Sequence, residues 1–383
     1  MSRALNVRLK AQDDELLYRS LEVRLSSTQS FDTPARALDA RLASRYGDIT
    51  PAGAHLFEYY ARSGASTVND RMASKAREED FSYDLNSIRR ASRDKPLILL
   101  QEFYETSYPS KKQLEFLIRT EHSYSDVLVL PLVSRITDAL DAGAGFERYL
   151  KFLRETMGLV ETFNKKPVMG VIPMKTPFLR IEELVDFYHE QGVNALCLDF
   201  ASSKPSTARQ SLEQVLYALA KRKVLNETYI HGINVSPGRP KRVSPVSPNH
   251  SILSFGFGAD SFGDLHRPKV IVKEPQEERP VPQRLFYRGD YGDHLIKSKA
   301  GLATISPEST GFSLQECLGN RNLTRLYNAE QHSLEATTLP RYIEPGRGEP
   351  DVERYVSGKQ YVERDTLKQM RSLNASVRLQ RRL

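Results

Sequence analysis

The densest group of residues that could carry chemistry is the segment FGFGADSFGDLHR, at positions 255–267. It places Asp260, Asp264 and His266 among three glycines. A carboxylate at the end of a late strand can act as a nucleophile or a general base. Glycines let the backbone approach a ligand closely. The same residue types also form glycine-rich turns capped by aspartates, so a catalytic carboxylate and a capped turn are both compatible with this segment.

Further polar side chains follow two of the predicted strands. Asp199 ends the run VNALCLDF, and Gln101 and Glu102 follow the run KPLILL. At the mouth of a barrel, such residues would face a substrate pocket. The alternatives are a helix N-cap for Asp199 and a solvated loop for Gln101 and Glu102.

Basic residues cluster in two places, where they could hold the phosphates of a nucleic acid. One cluster is Arg239, Lys241 and Arg242 in a proline-rich loop, and the other is the basic stretch 368–382 at the C-terminus. Binding of this kind weakens as salt rises. A solvated loop and a frayed basic tail are the alternatives.

The cysteine count argues against a structural metal or a disulfide framework. The chain has two cysteines, and Cys317 stands fifteen positions before His332 with no second cysteine nearby. Structural zinc usually needs four ligands, often in closely spaced cysteine pairs. We therefore expect no cofactor, and zinc is disfavoured.

The secondary-structure elements that must position these residues are predicted from a repeated pattern of strand, turn and amphipathic helix. The predicted strands of this pattern are five apolar runs: Pro96–Leu100, Val127–Val133, Val168–Met174, Ala195–Phe200 and Tyr229–Val235. Strands that alternate with helices predict a parallel sheet with helical crossovers. A closing strand near residue 260, and one or two more within residues 30–75, would bring the total towards eight.

Eight such strands predict a (β/α)8 TIM barrel. The rival is an open, doubly wound sheet. The dinucleotide fingerprint G-x-G-x-x-G is missing from the first strand–helix turn, which favours the barrel. We expect an N-terminal antiparallel hairpin or sheet in residues 1–45, the barrel core in 46–266, and a proline-broken insertion followed by C-terminal helices in 267–383.

Composition limits the class of protein. The chain has 383 residues, 39% of them hydrophobic, and a formal charge of +7. No apolar run is long enough to cross a bilayer, and the N-terminal residues lack the apolar core of a signal peptide. We expect a cytoplasmic protein without a membrane partner. The basic balance fits a polyanionic partner.

Four motifs together resemble the tRNA-guanine transglycosylases and their relatives that insert 7-deazaguanines into DNA. They are FDTP at 31–34, IHG at 230–232, GADSFGD at 258–264 and the helix start LYNAEQHSLEATTL from Leu326. The resemblance covers nearly the whole chain and implies a (β/α)8 barrel with a small N-terminal sheet.

The resemblance implies a base exchange that replaces guanine in DNA or tRNA by a 7-deazaguanine. A carboxylate attacks the sugar C1′, guanine leaves, and the new base displaces the enzyme. The nucleophile would be Asp264, with Asp260 as the alternative. Residues expected at the base are Gln101, Glu102, Asp199 and Gly232. Residues expected at nucleic-acid phosphates are Arg239, Lys241, Arg242, Arg267 and Arg288.

The chain also departs from the pattern of this family. The base-reading carboxylate expected after KPLILL is replaced by Leu100 or Gln101, and Tyr327 stands where a zinc-binding histidine is expected. A second hypothesis is therefore a non-catalytic barrel subunit that binds nucleic acid or a catalytic partner. A homodimer is compatible with either hypothesis.

Overall fold

The computed structural model describes residues 4–26, 28–46, 51–92, 95–163, 166–238, 244–267, 283–297, 302, 305, 311, 313–346 and 350–382. Parallel strands form the body of the described part. In chain order these barrel strands, numbered first to eighth below, are Ala35–Asp39, Leu56–Ser63, Leu97–Phe103, Leu128–Val129, Val168–Pro173, Ala195–Asp199, Tyr229–Ile233 and Ser261–Phe262.

Each barrel strand lies beside its neighbour in the chain, and the eighth strand pairs with the first through Ser261 and Ala35. Between the third and fourth strands the contact consists of two isolated bridges, Ile98 to Val127 and Glu102 to Leu132. The sheet is therefore closed, and the predicted (β/α)8 barrel is confirmed. Most of these strands are buried on both faces, which explains their nearly continuous apolar sequences.

Helices cover the outside of the barrel. They are Ala40–Arg45, Ala65–Ala73, Lys75–Ala91, Lys111–Tyr124, Ser134–Thr137, Ala144–Phe163, Ile181–Glu190 and Arg209–Lys221. The helix Lys111–Tyr124 begins with a capping box formed by Ser110 and Gln113. The helix Ala144–Phe163 buries Tyr149, Phe152 and Leu153, as the 3.6-residue spacing predicts.

A small antiparallel sheet covers the amino-terminal end of the barrel. Its strands are Asn6–Gln12, Arg19–Arg24 and Ser30–Asp32. Arg19 donates to the carbonyl of Thr228, which precedes the seventh barrel strand, and the Leu5 N–H donates to Asn194, which precedes the sixth. The predicted N-terminal antiparallel sheet is thus present, at the end opposite to the carboxyl termini of the strands.

A second antiparallel sheet and a long helix stand over the carboxyl end of the barrel. The strands of this sheet, called the mouth sheet below, are Val246–Pro248, Gln283–Tyr287 and Gly292–Ile296. The long helix is Arg321–Thr338, and the remaining C-terminal helices are Leu314–Cys317, Pro340–Ile343, Val352–Ser357 and Arg364–Arg382. These elements build the walls of the site described below.

The structure corrects the domain bounds and locates two features that the sequence left open. The barrel begins at Ala35 rather than at residue 46, because the first strand and its helix lie within the segment assigned to the N-terminal sheet. The further strands expected within residues 30–75 are Ala35–Asp39 and Leu56–Ser63, and the burial of the second on both faces hides the alternation typical of a strand. The apolar run before the eighth strand is a 3-10 helix, Ile252–Phe257, ended by Gly258 at a φ of 93°.

No helix within the described ranges is both long enough and apolar enough to span a membrane. The long helices instead pack one face on the barrel. The C-terminal helix Arg364–Arg382, for example, packs against Arg209–Lys221, and it buries Met370 and Leu373 in the core.

Candidate functional site

A pocket of about 920 Å³ opens at the carboxyl end of the barrel, between the barrel strands, the helix Arg321–Thr338 and the mouth sheet. Its charged lining is mainly basic. The arginines of the described residues that line it are Arg36, Arg41, Arg45, Arg62, Arg284, Arg321 and Arg325. The aspartates of the lining are Asp39, Asp264 and Asp293. Such a pocket is suited to an anionic ligand.

Asp264 follows the eighth barrel strand and lies in this pocket. Its Oδ1 atom pairs with Arg36, and its Oδ2 atom accepts from Arg325 Nη2 at 3.0 Å. Burial alone would raise the pKa of Asp264, but the two guanidinium groups outweigh it and hold the pKa below its ordinary value. Asp264 is therefore an ionised carboxylate at neutral pH.

A buried carboxylate, Glu58 on the second strand, lies beside Asp264 and joins two histidines. Glu58 Oε1 accepts from His266 Nε2 at 2.8 Å, and Glu58 Oε2 lies 3.2 Å from His231 Nε2. The backbone N–H of Asp264 also donates to Glu58. Burial opposes ionisation, but the histidines lower the pKa of Glu58. Burial likewise opposes a charge on His266, but Glu58 outweighs it and raises the pKa of that imidazole.

The residue before Asp264 must be a glycine because the carboxylate of Glu58 lies very close to it. A Cβ atom at this position would overlap the carboxylate oxygens of Glu58. The Gly263 N–H donates to the carbonyl of Gly232 on the neighbouring strand at 2.8 Å. The backbone can therefore approach Glu58 closely enough for the Asp264 N–H to bond to it, which only a glycine allows.

The Glu58–His266 pair predicts a pH dependence of stability. The raised pKa of His266 adds stability that is fully present below about pH 6.5, the ordinary histidine value, and is lost as pH rises through the folded-state pKa. The lowered pKa of Glu58 adds stability that is present above about pH 4.3 and is lost in stronger acid. Both contributions to the free energy of unfolding are therefore fully present between about pH 4.3 and about pH 6.5.

We expect the free energy of unfolding to fall between about pH 6 and about pH 8.5, and to fall less in Glu58→Gln. Urea unfolding at the two pH values measures this difference. His189→Gln is the matched control, because His189 is exposed on its helix. An equal pH dependence in wild type and Glu58→Gln would contradict the pairing.

A second group of carboxylates lies on the other side of the barrel mouth. The guanidinium group of Arg267 lies among them. Arg267 Nη1 donates to Asp199 Oδ2 at 2.9 Å, and Nη2 donates to Asp138 Oδ2 at 2.5 Å. Glu102 Oε1 lies 3.8 Å from Arg267 Nε, and Glu102 also pairs with Arg62. Glu102 and Asp199 thus lie near the carboxyl ends of their strands, but neither lines the pocket, and both are paired with arginines. Arg267, predicted to hold phosphate, instead bridges three carboxylates.

Of the predicted site residues that the structure describes, Asp264 alone lines the pocket, and Gln101 and Gly232 point away from it. Gln101 donates to the carbonyl of Leu117 on a covering helix at 2.6 Å, because it alternates with the inward Glu102 along its strand. Gly232 also faces outward, since a Cβ there would meet the ring of Phe200. These placements correct the expectation that Gln101 and Gly232 lie at a substrate base.

Asp260 lies at the start of the eighth strand, towards the amino-terminal end of the barrel. It forms a buried ion pair with Arg19 at 2.6 Å and accepts from the Ile230 N–H at 2.8 Å. Burial raises the pKa of Asp260 to about 6, although Arg19 opposes this shift. This location corrects the expectation that Asp260 faces the pocket, and it removes Asp260 as the alternative nucleophile.

The predicted phosphate-binding residues are only partly described. Arg239, Lys241 and Arg242 lie outside the described residues. Arg288 lies in the turn of the mouth sheet, where its carbonyl accepts from Lys359 Nζ at 2.9 Å, and it does not line the pocket. In the C-terminal cluster, Arg371 and Arg378 are paired with Glu353 and Asp14.

Sequence reasoning missed several residues of the pocket. Glu58 had one usable signal, a single carboxylate within the apolar run HLFEYYA. Arg36 lies on the first strand, which the sequence did not locate. Arg325 and Asp293 had no signal, because they come from the long helix and the mouth sheet, far along the chain from the barrel residues that they approach.

The residues implied for zinc by the family resemblance do not fit that metal. Cys317 and Tyr327 lie together in a separate apolar cluster, and burial raises the pKa of the Cys317 thiol to about 12. His332 packs instead between the rings of Phe262 and Phe286. Within the described ranges, no group of three or more His, Cys, Asp or Glu side chains is arranged to hold a metal ion.

Comparisons with known proteins bear on the fold alone. No family model and no curated protein sequence matches this chain. Among solved structures, a pyruvate-bound carboxyl transferase domain of Rhizobium etli pyruvate carboxylase is 14% identical, with a TM-score of 0.37 over 89% of this chain. This chain spans about half, 51%, of that domain.

Two further structures are similar at the same low level. The tryptophan synthase alpha-subunit of Pyrococcus furiosus is 13% identical, with a TM-score of 0.33, and the match covers 60% of this chain and 86% of that one. The spore coat polysaccharide biosynthesis protein spsE of Bacillus subtilis is 12% identical, with a TM-score of 0.42, covering 89% and 78%. The class of this protein is thus defined by its own strand order, which is that of a TIM barrel.

Proposed function

We propose that this chain is a nucleic-acid base-exchange transglycosylase. It replaces guanine in DNA or tRNA by a 7-deazaguanine through a covalent intermediate on Asp264. The observation that carries the proposal is an ionised carboxylate at the carboxyl end of the eighth barrel strand, inside a pocket lined by arginines. A TIM barrel places its catalytic groups at this end of its strands.

In the first half of the proposed reaction, an oxygen of Asp264 attacks C1′ of the target nucleotide. The C1′–N9 bond breaks, and its electron pair leaves with guanine, which takes a proton at N9. In the second half, N9 of the 7-deazaguanine gives up its proton and attacks C1′. The ester bond between C1′ and Asp264 then breaks, and its electron pair returns to the carboxylate.

His266 is suited to move these two protons. Its Nε2 atom is held by Glu58 at 2.8 Å, while its Nδ1 atom has no hydrogen-bond partner among the described residues. The raised pKa of the imidazole favours a protonated start, from which His266 protonates the departing guanine. The neutral imidazole then accepts the proton of the incoming base, so the cycle closes without a further reagent.

Arg325 and Arg36 hold Asp264 in different ways. The Arg325 side chain is 40% exposed, whereas the Arg36 side chain is 5% exposed. Arg325 can therefore turn towards a substrate phosphate, which frees Oδ2 of Asp264 for attack while Oδ1 stays paired with Arg36. Arg36 stays in place and keeps the carboxylate ionised and oriented.

The direct test supplies radiolabelled guanine with double-stranded DNA or with tRNA and measures label incorporated by the wild-type chain. Incorporation into either polymer supports the proposal, and the polymer that takes up label is the substrate class. The same assay is repeated as a chase with unlabelled 7-deazaguanine. Binding of nucleic acid without any exchange by either route would overturn the proposal.

That negative result would favour the second candidate, a non-catalytic barrel that binds nucleic acid or a catalytic partner. A specific observation supports this candidate: both carboxylate oxygens of Asp264 are paired with arginines. A carboxylate so engaged is a weaker nucleophile. The transglycosylase requires that substrate binding draws Arg325 away from Asp264, whereas the non-catalytic barrel does not.

Binding of nucleic acid at the pocket predicts a specific salt dependence. Arg41 and Arg45 are exposed on the helix Ala40–Arg45 and line the pocket. We expect the double variant Arg41→Ala/Arg45→Ala to reduce the slope of log affinity against log salt by about 1 to 2, because each phosphate contact contributes about 0.7 to 0.9.

Fluorescence anisotropy with labelled duplex DNA and tRNA, between about 50 and 300 mM salt, measures this slope. Lys75→Ala/Lys151→Ala is the charge-matched control, since both lysines are exposed on outer helices. Equal slopes in the two double variants would place the nucleic acid elsewhere.

A further inference from the structure

The segment that carries Asp264 and His266 has no regular secondary structure. The eighth barrel strand ends at Phe262, and the described residues 263–267 belong to no helix or strand. Both Asp264 and His266 nevertheless line the pocket. Buried backbone N–H and C=O groups need hydrogen-bond partners, and an irregular segment cannot find them in a sheet ladder or a helix. The partners of this segment therefore decide where its two functional side chains lie.

One buried residue, Asn234, supplies several of these partners. It directly follows the seventh barrel strand. Its Oδ1 atom accepts from the backbone N–H groups of His266 and Arg267, each at 3.0 Å. Its own N–H donates to the carbonyl of Asp264 at 3.3 Å. Asn234 thus holds three backbone groups of the segment, while Glu58 holds a fourth, the N–H of Asp264.

The side-chain amide of Asn234 is fixed in turn by Asp199. Asn234 Nδ2 donates to Asp199 Oδ1 at 2.9 Å, and Asp199 Oδ2 accepts from Arg267 Nη1 at 2.9 Å. Because the backbone N–H of Arg267 donates to Asn234 Oδ1, the three residues close a hydrogen-bonded ring. Two backbone N–H groups can bond only to the amide oxygen, so Oδ1 must face the segment and Nδ2 must face Asp199. Asp199 therefore orients Asn234.

The backbone around this ring is strained. Asn234 is left-handed, with a φ of 56°, and so are Ala201 and Ser202 after the sixth strand, with φ values of 48° and 64°. Asparagine tolerates this conformation better than most residues other than glycine. The Ser202 N–H donates to the Asn234 carbonyl at 3.0 Å, and the Ala201 N–H donates to Asp199 Oδ1 at 3.0 Å. Strain of this kind persists where several contacts fix it, and it clusters at functional sites.

We propose that Asn234 is a positioning residue that holds Asp264 and His266 in reacting geometry without contacting the substrate. This inference rests on the proposed function and deepens it, because the nucleophile and the group that moves protons are then held as one unit. Asn234 does not line the pocket, so its effect passes through the backbone of the segment. A displacement of about 1 Å at a reacting group can cost about a hundredfold in rate.

The pKa of His266 reports on this positioning without any turnover. Burial opposes a charge on the imidazole, but Glu58 outweighs it and raises the pKa, with smaller contributions from Asp264 and Asp39. The Tyr60 ring stacks on the imidazole with 4.5 Å between centroids. Loss of the Asn234 amide would loosen the segment and weaken the contact between His266 and Glu58. The pKa of His266 should then fall towards its ordinary value of about 6.5.

The test variant is Asn234→Gly, because glycine keeps the left-handed backbone and removes the amide. The pKa of His266 is measured by NMR titration of the full chain with isotope-labelled histidine, and His266→Gln identifies the signal. We expect a lower pKa in Asn234→Gly than in wild type. Lys223→Gly is the matched control, because Lys223 is also left-handed, with a φ of 60°, but is exposed after the helix Arg209–Lys221. It should leave the pKa of His266 unchanged.

Amide hydrogen exchange tests the hydrogen bonds to Asn234 directly. In wild type, the backbone N–H groups of His266 and Arg267 should exchange with solvent about a hundredfold or more slowly than in an unstructured chain. Both should exchange faster in Asn234→Gly and at the wild-type rate in Lys223→Gly. If Asn234→Gly does not fold, the wild-type rates decide, because unprotected N–H groups at these two positions would contradict the inference.

The base-exchange assay with labelled guanine separates positioning from substrate binding. Asn234→Gly should lower kcat about tenfold to a hundredfold and leave KM within about twofold of wild type. This result is expected because the variant displaces reacting groups and removes no contact with the substrate. A raised KM at unchanged kcat would assign Asn234 to substrate binding and overturn the inference.

The outcomes also separate this inference from the proposed function. An unchanged pKa of His266 and unchanged amide exchange in Asn234→Gly would overturn the inference, while base exchange by wild type would leave the proposed function standing. A wild type that exchanges no base would end the proposed function. A lower pKa of His266 in Asn234→Gly would still support the positioning of that imidazole by Asn234.

Discussion

Asp264→Asn is expected to abolish base exchange, with a loss on the order of a thousandfold or more in kcat. The amide has nearly the size of the carboxylate, and its single oxygen can still accept from the buried Arg36. Its NH2 group then faces Arg325, whose side chain is 40% exposed and can turn away, so the pocket should keep its shape. It has no charged oxygen to attack C1′, however, and cannot form the ester intermediate. Binding of nucleic acid should remain salt-dependent and near the wild-type value, because the arginines that line the pocket are retained.

The measurement combines the exchange assay with the intact mass of the denatured protein after incubation with substrate. Wild type should carry a covalent nucleic-acid adduct, and Asp264→Asn should not. Asp39→Asn is the matched control, because Asp39 also pairs with Arg325 at 3.0 Å and lines the same pocket. Asparagine also preserves its role as a helix N-cap. Exchange at the wild-type rate in Asp264→Asn would remove Asp264 as the nucleophile.

The second large effect concerns stability, at the opposite end of the barrel. Arg19→Met is expected to lower the free energy of unfolding by about 3–5 kcal/mol, because it leaves the Asp260 carboxylate buried without its partner. Both side chains of this pair are 1% exposed. Arg19 also donates to the carbonyl of Thr228, so its loss further weakens the junction between the N-terminal sheet and the barrel.

Urea unfolding measures this effect, and two further variants test its cause. Arg19→Met/Asp260→Leu should recover much of the lost stability, since it removes both buried charges. Arg24→Met is the matched control: Arg24 forms an exposed pair with Glu22, and its loss should cost less than about 1 kcal/mol. A cost for Arg19→Met as small as that of Arg24→Met would contradict the assignment of Asp260 to structure.

Asp260 and Asp264 show that the motif GADSFGD alone could not identify the nucleophile. The two aspartates stand four positions apart in one glycine-rich segment, and the sequence offered both as nucleophiles. The eighth strand runs between them, so one lies near the amino-terminal end of the barrel and the other lies at its mouth. A short strand is enough to separate the two positions, because a barrel has chemically distinct ends.

The same reasoning explains Gln101 and Glu102. The sequence predicted that both follow a strand, but the third strand continues through Phe103. Adjacent residues of a strand point to opposite faces. Glu102 therefore enters the mouth, and Gln101 bonds to a covering helix. The predicted run ended at Leu100, three residues too early, so the alternation of Gln101 and Glu102 between the two faces was missed.

Local sequence patterns were enough to predict the barrel, the N-terminal sheet and the place of Asp264 after a late strand. These features follow from local patterns: apolar runs, helical spacing and turn residues act over short stretches of chain. The other residues of the site could be identified only in the folded chain. Arg36, Glu58, Asp293 and Arg325 come from segments far apart in the chain, and they meet at the mouth because barrel closure and the docking of the long helix bring them there. Charge pairing over such separations leaves no periodic trace in the sequence, so it becomes visible only once the chain is folded.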